Sequence, residues 1–254
     1  MSSQTDMSVT TVETETTCYF MPTASLKACS SLLDDHLQRD PRHISLPRSV
    51  VPDDLPLDSI FSLMISDGIL RPLPLPKIII LARAVIALKC DALSAPVIIR
   101  LSHFFFPSLA QHVNNSPAGD KIRAENARDV LKLSFASPLF RCFSRPAIYY
   151  LLLRDLTTLS ESESLTLTHD ESSFVNNNLQ DLRAKFVEAE KKVLREACPA
   201  GRCARKWKAR KWTLSEMHDP IRALLWVSDG CSTCRSKWIA YCTEIWAGMD
   251  MWHA

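Results

Sequence analysis

The segment CYFMPTASLKACSSLLDDHLQRDPRHISLP, which covers residues 18–47, decides the fold prediction. Its apolar residues recur at helical spacing, with Leu26, Leu33 and Leu37 on one side, and Pro41 interrupts this pattern. The run HISLP at residues 43–47 follows directly and reads as a short strand. The segment therefore predicts a helix from residue 23 onward and a strand after it.

Downstream of this segment, extended proline-rich stretches alternate with apolar helices. Leu57, Ile60 and Met64 share one face of an amphipathic helix, which ends at an Asp-Gly turn over residues 67–68. Three prolines between residues 72 and 76 keep the next stretch extended, because each disfavours helical backbone in the residue before it. Residues 77–90 are apolar almost all round and predict a central core helix, and a second apolar helix is expected over residues 91–106.

The rest of the chain is helical in pattern. A polar turn at residues 113–119 is the best candidate for a domain boundary, and helical patterns resume at residues 122–135 and 147–156. Three asparagines at residues 176–178 are predicted to cap a further helix. The apolar positions of that helix include Leu179, Leu182 and Phe186.

Three fragments in succession resemble parts of a BTB/POZ domain. Residues 18–47 are similar to its strand, helix and short strand, and PLDSIFSLMISDGI at residues 56–69 is similar to its next helix and turn. Residues 78–105, IIILARAVIALKCDALSAPVIIRLSHFF, resemble its closing helix pair. Residues 219–238, DPIRALLWVSDGCSTCRSKW, are similar to the C-terminal extensions of fungal BTB-containing proteins.

The expected fold class is α+β and predominantly helical, with a BTB/POZ-like N-terminal domain. The expected organisation is a disordered tail at residues 1–17, the BTB/POZ-like domain at 18–107, a helical region at 118–197 and a Cys/Trp-rich unit at 198–254. The weak alternation of residues 8–20 leaves a strand or hairpin at the end of this tail as an alternative. The resemblance implies a non-catalytic module for protein–protein interaction, often dimeric and often an adaptor for a cullin ubiquitin ligase. Because the chain before Cys18 is so polar, we expect any homodimer to be weak.

The strongest chemical signal is a set of two cysteine pairs, Cys198 with Cys203 and Cys231 with Cys234. Paired short spacings with a long intervening segment are how structural zinc sites are built, because four thiolates satisfy tetrahedral Zn²⁺. These cysteines are therefore predicted to hold one structural zinc ion, with His218 as a substitute ligand. The alternative is four reduced, partly buried thiols without a metal.

The charge of the chain is distributed unevenly, although its formal net charge is only +2. The first 17 residues carry only acidic side chains, whereas RCARKWKARK at residues 202–211 holds six basic residues in ten. This basic segment either contacts nucleic-acid phosphates or forms a solvated surface over buried Trp207 and Trp212. The tryptophan spacing favours the second interpretation, so nucleic acid is not an expected partner. A zinc-stabilised nucleic-acid-associated protein is the alternative to the interaction module.

Enzyme and membrane functions find no support in the sequence. No G-x-S-x-G, H-E-x-x-H, P-loop or G-x-G-x-x-G motif occurs, so no catalysis is expected. A cysteine of the apolar stretches, Cys90 or Cys142, paired with His103 or His112, is the one enzymatic alternative. The longest apolar run, residues 78–88, is too short to span a bilayer, and the N-terminus lacks a secretory pattern. We therefore expect an intracellular protein of the nucleus or cytoplasm, without disulfides.

Overall fold

A computed structural model of the chain shows a predominantly helical protein with one three-stranded sheet, which confirms the α+β, predominantly helical class. The chain forms two compact units, the first made of residues 1–104 and 136–140 and the second of residues 105–135 and 141–254. The structure describes residues 8–47, 57, 60–61, 73–114, 119–153, 168–192, 198, 201–203, 205, 221–222 and 231–248.

The sheet of the first unit contains strands β1 (Val9–Glu13), β2 (Cys18–Pro22) and β3 (His43–Ser45). Strand β1 lies in the centre, antiparallel to β2 and parallel to β3. Val12, Met21 and Ile44 are buried on the inner face of the sheet. The short strand predicted at residues 43–47 is confirmed, and residues 9–13 form a central strand rather than part of the tail expected over residues 1–17.

Two helices, α1 (Thr23–Cys29) and α2 (Ser31–Arg39), replace the single helix predicted before Pro41. The break is at Ser30, whose backbone is extended and whose hydroxyl accepts a hydrogen bond from the backbone N–H of Leu33. The same hydroxyl donates to the carbonyl oxygen of Leu88. Ser30 therefore begins α2 as a helix cap and ties it to a distant part of the chain.

The centre of the first unit is formed by helices α3 (Leu75–Ala87) and α4 (Asp91–Ser102). Helix α3 begins slightly before the predicted position because proline is tolerated in the first helical turn. Its buried residues cover most of its circumference, which confirms the predicted core helix. Leu57 and Ile60 are helical and buried, whereas Met64 and the turn predicted at residues 67–68 lie outside the described residues.

The described part of the second unit is helical. Its elements are α5 (Leu109–Asn114), α6 (Asp120–Ala136, whose last residue falls in the first unit), the end of a 3-10 helix (Pro138–Phe143), α7 (Ser144–Leu153), α8 (His169–Lys191) and α9 (Ser232–Gly248). Apart from residues 136–140, the regions predicted as 118–197 and 198–254 belong to this one unit. None of the described helices is long and apolar enough to cross a membrane.

Helix α8 begins at His169, seven residues before the predicted cap. The asparagines at residues 176–178 therefore lie inside the helix, where the packing of its apolar face outweighs their preference for caps. Leu179, Leu182 and Phe186 are buried, as their spacing predicts. On the opposite side Lys185 lies 2.6 Å from Asp181, which is the expected ion pair one helical turn apart.

Candidate metal centre

The four cysteines singled out by the sequence meet at one point in the second unit. The sulfur atoms of Cys198, Cys203, Cys231 and Cys234 all lie within 4.8 Å of one another. Around a tetrahedral zinc ion with Zn–S bonds of about 2.3 Å, sulfur atoms are separated by about 3.8 Å. An ion at the centre would therefore need to draw the sulfurs together by no more than about 1 Å. The number, chemistry and arrangement of the donors fit one zinc ion.

The first cysteine pair is positioned by a tight turn. The backbone N–H of Gly201 donates to the carbonyl oxygen of Cys198 at 3.0 Å, and Gly201 has a φ of +58°. This left-handed backbone favours glycine because a Cβ atom would be strained there. The turn returns the chain so that the backbone N–H of Cys203 points at the Cys198 sulfur, 3.4 Å away. Such a hydrogen bond stabilises negative charge on the sulfur, as a metal ligand requires.

The second cysteine pair is positioned by the N-terminus of α9. Cys231 directly precedes the helix, and its carbonyl oxygen accepts the backbone N–H of Arg235 at 2.9 Å. Cys234 lies in the first turn and is buried, whereas Cys231 is half-buried. The positive end of the helix dipole favours thiolates at this place. The spacing C-x-x-C thus puts both sulfurs on the side of the helix end that faces the first pair.

The pKa values of the cysteines in the cluster are shifted in opposite directions. The N–H of Cys203 lowers the pKa of Cys198 to about 7. Burial, together with hydrogen bonds to the neighbouring thiols, raises the pKa of Cys203 to about 11 and raises that of Cys234 as well. Without a cation, burial therefore opposes the ionisation of Cys203 and Cys234. A divalent ion offsets the repulsion between further thiolates, and zinc or iron are the metals that such a sulfur set prefers.

Helix α9 is fixed in the second unit by its two buried indoles. The indole N–H of Trp238 donates to the carbonyl oxygen of Ile221 at 3.3 Å, and that of Trp246 donates to the carbonyl oxygen of Pro107 at 3.2 Å. Trp238 follows Cys234 by one helical turn and is fully buried. The helix that carries half of the cysteine cluster is therefore anchored by packing that does not involve the cluster.

A buried charge network, which the sequence analysis missed, lies in the same unit. The carboxylate of Asp120 accepts hydrogen bonds from Arg123 at 2.7 Å and from Arg222 at 2.9 Å, and the hydroxyl of Tyr150 donates to it at 3.3 Å. Arg222 also donates to the carbonyl oxygen of His112 at 2.7 Å. The network links α5, α6 and α7 to the region before α9. The i, i+3 spacing of Asp120 and Arg123 was the only signal for it in the sequence.

Two residues of the enzymatic alternative, Cys90 and His112, are buried among core side chains. Cys90 is buried in the first unit, where burial raises the pKa of its thiol to about 12 and its S–H donates to the carbonyl oxygen of Leu88 at 3.7 Å. His112 is fully buried in the second unit, with its ring centroid 5.0 Å from that of Tyr149 and 5.5 Å from that of Trp246. Neither environment resembles that of an activated nucleophile or base.

The other residues singled out by the sequence are only partly covered by the structure. Arg202 and Arg205 of the basic segment are exposed, as expected. Trp207, Trp212 and His218 lie outside the described residues. Comparisons of this chain with protein-family models, with curated proteins and with solved structures found no match. The case for a function therefore rests on the residues themselves.

Proposed function

We propose that this chain is a non-catalytic interaction protein with two functional parts. Its C-terminal part is stabilised by one structural zinc ion held by Cys198, Cys203, Cys231 and Cys234. Its N-terminal unit is a BTB/POZ-like module that binds other protein chains, including a second copy of itself. The observation that carries the proposal is the convergence of four cysteine sulfurs, from two segments far apart in the sequence, within 4.8 Å.

The zinc ion would join two parts of the chain that are separated in the sequence. The ligands come from a short turn at residues 198–203 and from the start of α9, which are joined by a long segment. Closing the site fixes both ends of that segment, and the free energy of metal binding becomes free energy of folding. All four ligands are cysteines, so no position remains for a reacting water, which supports a structural rather than a catalytic ion.

The interaction role of the N-terminal unit is supported by its sheet. Strand β2 lies at the edge, and Phe20 on the outer face of the sheet is 73% exposed. Val9, on the same outer face, is 56% exposed. An exposed edge strand with large apolar side chains invites pairing with another chain. The order of strand, strand, two helices, strand and core helices also supports the BTB/POZ-like interpretation.

The edge of β2 is complementary to itself, which favours a second copy as the partner. Antiparallel strands alternate in the direction of their hydrogen bonds. Thr23 and Thr17 are hydrogen-bonded to Ser8 and Thr14, the residues on either side of β1. By this alternation the N–H and C=O groups of Phe20 point away from β1. Two β2 strands paired about a twofold axis would place Phe20 opposite Phe20 of the second copy, with both rings in contact. Pro22 has no N–H to contribute, so the contact would be short and the dimer weak.

The dimer is tested by light scattering over a concentration series. We expect the wild-type mass to rise towards that of a dimer at high concentration and Phe20→Asp to remain monomeric. The matched control is Ile99→Asp, which alters another exposed apolar residue of the same unit and is expected to leave the dimer intact. A substitution of Leu33 would not test association, because this side chain is fully buried and its replacement would disturb the core. A wild-type monomer at every concentration would overturn this part of the proposal.

The adaptor role implied by the BTB/POZ resemblance has its own test. Titration of the purified protein with a purified cullin N-terminal region should show saturable binding, because adaptors of this class contact the cullin directly. Absence of binding at concentrations of about 100 μM would remove the adaptor role. The zinc centre and the dimer would be unaffected, since they depend on other residues.

A further inference from the structure

Each cysteine pair of the metal centre combines an accessible thiol with a buried one. Cys198 and Cys231 are half-buried, whereas Cys203 and Cys234 are buried. A small oxidant in solution therefore meets one sulfur of each pair first, and the second sulfur lies within 4.8 Å of it. An accessible cysteine next to a second cysteine that can resolve its oxidised form is the usual arrangement of a redox-sensitive thiol.

The spacing inside each pair suits a disulfide. Cys234 follows Cys231 by three residues at the start of α9, a spacing that makes the side chains of a helix neighbours. In the other pair the backbone nitrogen of Cys203 lies 3.4 Å from the sulfur of Cys198. A disulfide inside a pair closes a ring of four or six residues, whereas one between the pairs closes a ring of at least 29 residues. Closing the shorter rings costs less chain entropy, so oxidation favours bonds inside the pairs.

We propose that hydrogen peroxide oxidises this cluster to two disulfides, one in each pair, and thereby releases the zinc ion. The inference rests on the zinc centre of the proposed function and adds a means of regulating it. In each pair the accessible thiolate attacks one oxygen of the peroxide, the O–O bond breaks, and a sulfenic acid and one hydroxide ion result. The buried thiolate then attacks the sulfenic sulfur, which forms the disulfide and expels a second hydroxide ion.

The reaction uses two peroxide molecules for each zinc ion that it releases. Each disulfide gives two electrons to one peroxide molecule, so the four thiolates reduce two peroxides to four hydroxide ions. The zinc ion keeps its charge throughout, because it is not a redox-active metal. A disulfide sulfur carries no negative charge and is no longer a ligand. The first disulfide leaves two thiolates, fewer than the four ligands that a structural zinc ion needs.

The loss of the ion removes the link between the two cysteine pairs but not the anchors of α9. The indoles of Trp238 and Trp246 donate to the carbonyl oxygens of Ile221 and Pro107, and neither hydrogen bond involves a cysteine. Helix α9 should therefore keep its place in the second unit after oxidation. The turn at residues 198–203 loses its metal bond to α9, so oxidation loosens one segment selectively.

The test is the release of zinc from the purified full chain by an excess of hydrogen peroxide, measured with a chromogenic chelator. We expect about one zinc ion to be released per chain, and dithiothreitol with added zinc should restore the original content. Mass spectrometry of non-reduced peptides should find Cys198 joined to Cys203 and Cys231 joined to Cys234. Hydrogen exchange should become faster in the turn at residues 198–203 and stay slow around Trp238.

Replacing the two accessible sulfurs tests where oxidation begins. The variant Cys198→His with Cys231→His keeps four zinc ligands in a Cys2His2 set, which proteins also use for structural zinc. We expect its zinc release to be about tenfold slower than that of the wild type, because the remaining sulfurs are buried. The matched control, Cys18→Ser with Cys142→Ser, removes two exposed thiols outside the cluster and should release zinc at the wild-type rate.

The outcomes separate this inference from the zinc proposal. A protein that binds zinc and retains it in excess peroxide refutes the redox inference and leaves the zinc centre intact. Disulfides between the pairs, or equal release rates from the histidine variant and the wild type, would also refute it. If the histidine variant does not bind zinc, the disulfide map of the wild type decides. A wild-type protein without zinc refutes the centre on which both proposals depend.

Discussion

Removal of the charge of Asp120 is the sharpest test of the buried network in the second unit. The carboxylate is only 10% exposed and faces two guanidinium groups, those of Arg123 and Arg222. Replacement by asparagine keeps the size of the side chain but leaves two buried cations without their common anion. The expected effect is a large loss of stability, confined to the second unit.

The magnitude follows from the geometry. Removing one partner of a buried ion pair costs about 3–5 kcal/mol, because the remaining charge stays desolvated without compensation. The two arginines keep part of their compensation: the carbonyl oxygen of His112 accepts from Arg222, and the rings of Phe106 and Tyr150 lie 4.9 Å and 5.9 Å from the Cζ atom of Arg123. We therefore expect Asp120→Asn to reduce the free energy of unfolding by about 3 kcal/mol, near the lower end of that range.

The assay is urea unfolding followed by tryptophan fluorescence, since Trp238 and Trp246 are buried in the same unit. A loss of about 3 kcal/mol lowers the unfolding midpoint by about 1–2 M urea. The matched control is Asp129→Asn on the same helix, where Asp129 is half-exposed and 3.3 Å from Lys132. An exposed pair contributes less than about 1 kcal/mol, so the control should shift the midpoint only slightly.

The reasoning would be refuted by equal, small shifts of the two variants. That result would mean that Asp120 is as well solvated as Asp129, and that the network does not hold the region before α9 in place. Destabilisation of the first unit by Asp120→Asn, with no destabilisation of the second unit, would also contradict the proposed role of the network.

Three further predictions concern single side chains. Ser30→Ala should lower the free energy of unfolding of the first unit by about 1–2 kcal/mol, because it removes a helix cap and a buried hydrogen bond. Unchanged thermal unfolding would contradict the role of Ser30 as a cap. Trp238→Phe should lower the free energy of unfolding, measured with urea, by about 1–3 kcal/mol, because the indole hydrogen bond is lost and a cavity is left behind. An unchanged free energy of unfolding would mean that the indole lies in solvent. In metal-free protein, iodoacetamide should modify Cys198 well before Cys90, with a rate at Cys198 that rises with pH and is half-maximal at about pH 7, because the thiolate is the reacting form. Peptide mass spectrometry showing the reverse order would contradict these thiol environments.

The elements with uniform, strongly apolar patterns are those that the sequence predicted well. Helix α3 is apolar on almost all sides, and a helix of this kind is stable only when it is buried in the core. Strand β3 was recognised because Ile44 and Leu46 alternate with polar residues and prolines bound the segment. In both places the local pattern and the tertiary environment favour the same structure, so single-sequence reasoning is sufficient.

The errors arose where tertiary contacts decide the outcome. Strand β1 contains mostly threonine and valine and resembles a polar tail, but its pairing on both sides with β2 and β3 buries Thr10 and Val12. The hydroxyl of Thr10 meets that of Thr23 at 2.8 Å, a contact that no local pattern indicates. The break between α1 and α2 depends likewise on Ser30 bonding to Leu88, which is distant in the sequence.

The metal centre and the charge network differ in how far the sequence predicts them. Cysteine is rare and its spacing is diagnostic, so the sequence predicts which four cysteines form the cluster, and their sulfurs converge. The network depends on a hydrogen bond between Arg222 and Asp120, which are 102 residues apart in the sequence. Charged residues are common, and their pairing over such distances leaves no pattern in the sequence.

The most direct test of the account is the metal content of the purified, folded protein, measured by elemental analysis together with native mass spectrometry. We expect about one zinc ion per chain, lost in Cys203→Ser and retained in Cys242→Ser, which alters a buried thiol of α9 outside the cluster. Chelation should reduce the helical signal of the second unit. A well-folded wild-type chain that contains neither zinc nor another thiolate-bound metal, and that is indifferent to chelators, would contradict the proposed structural centre.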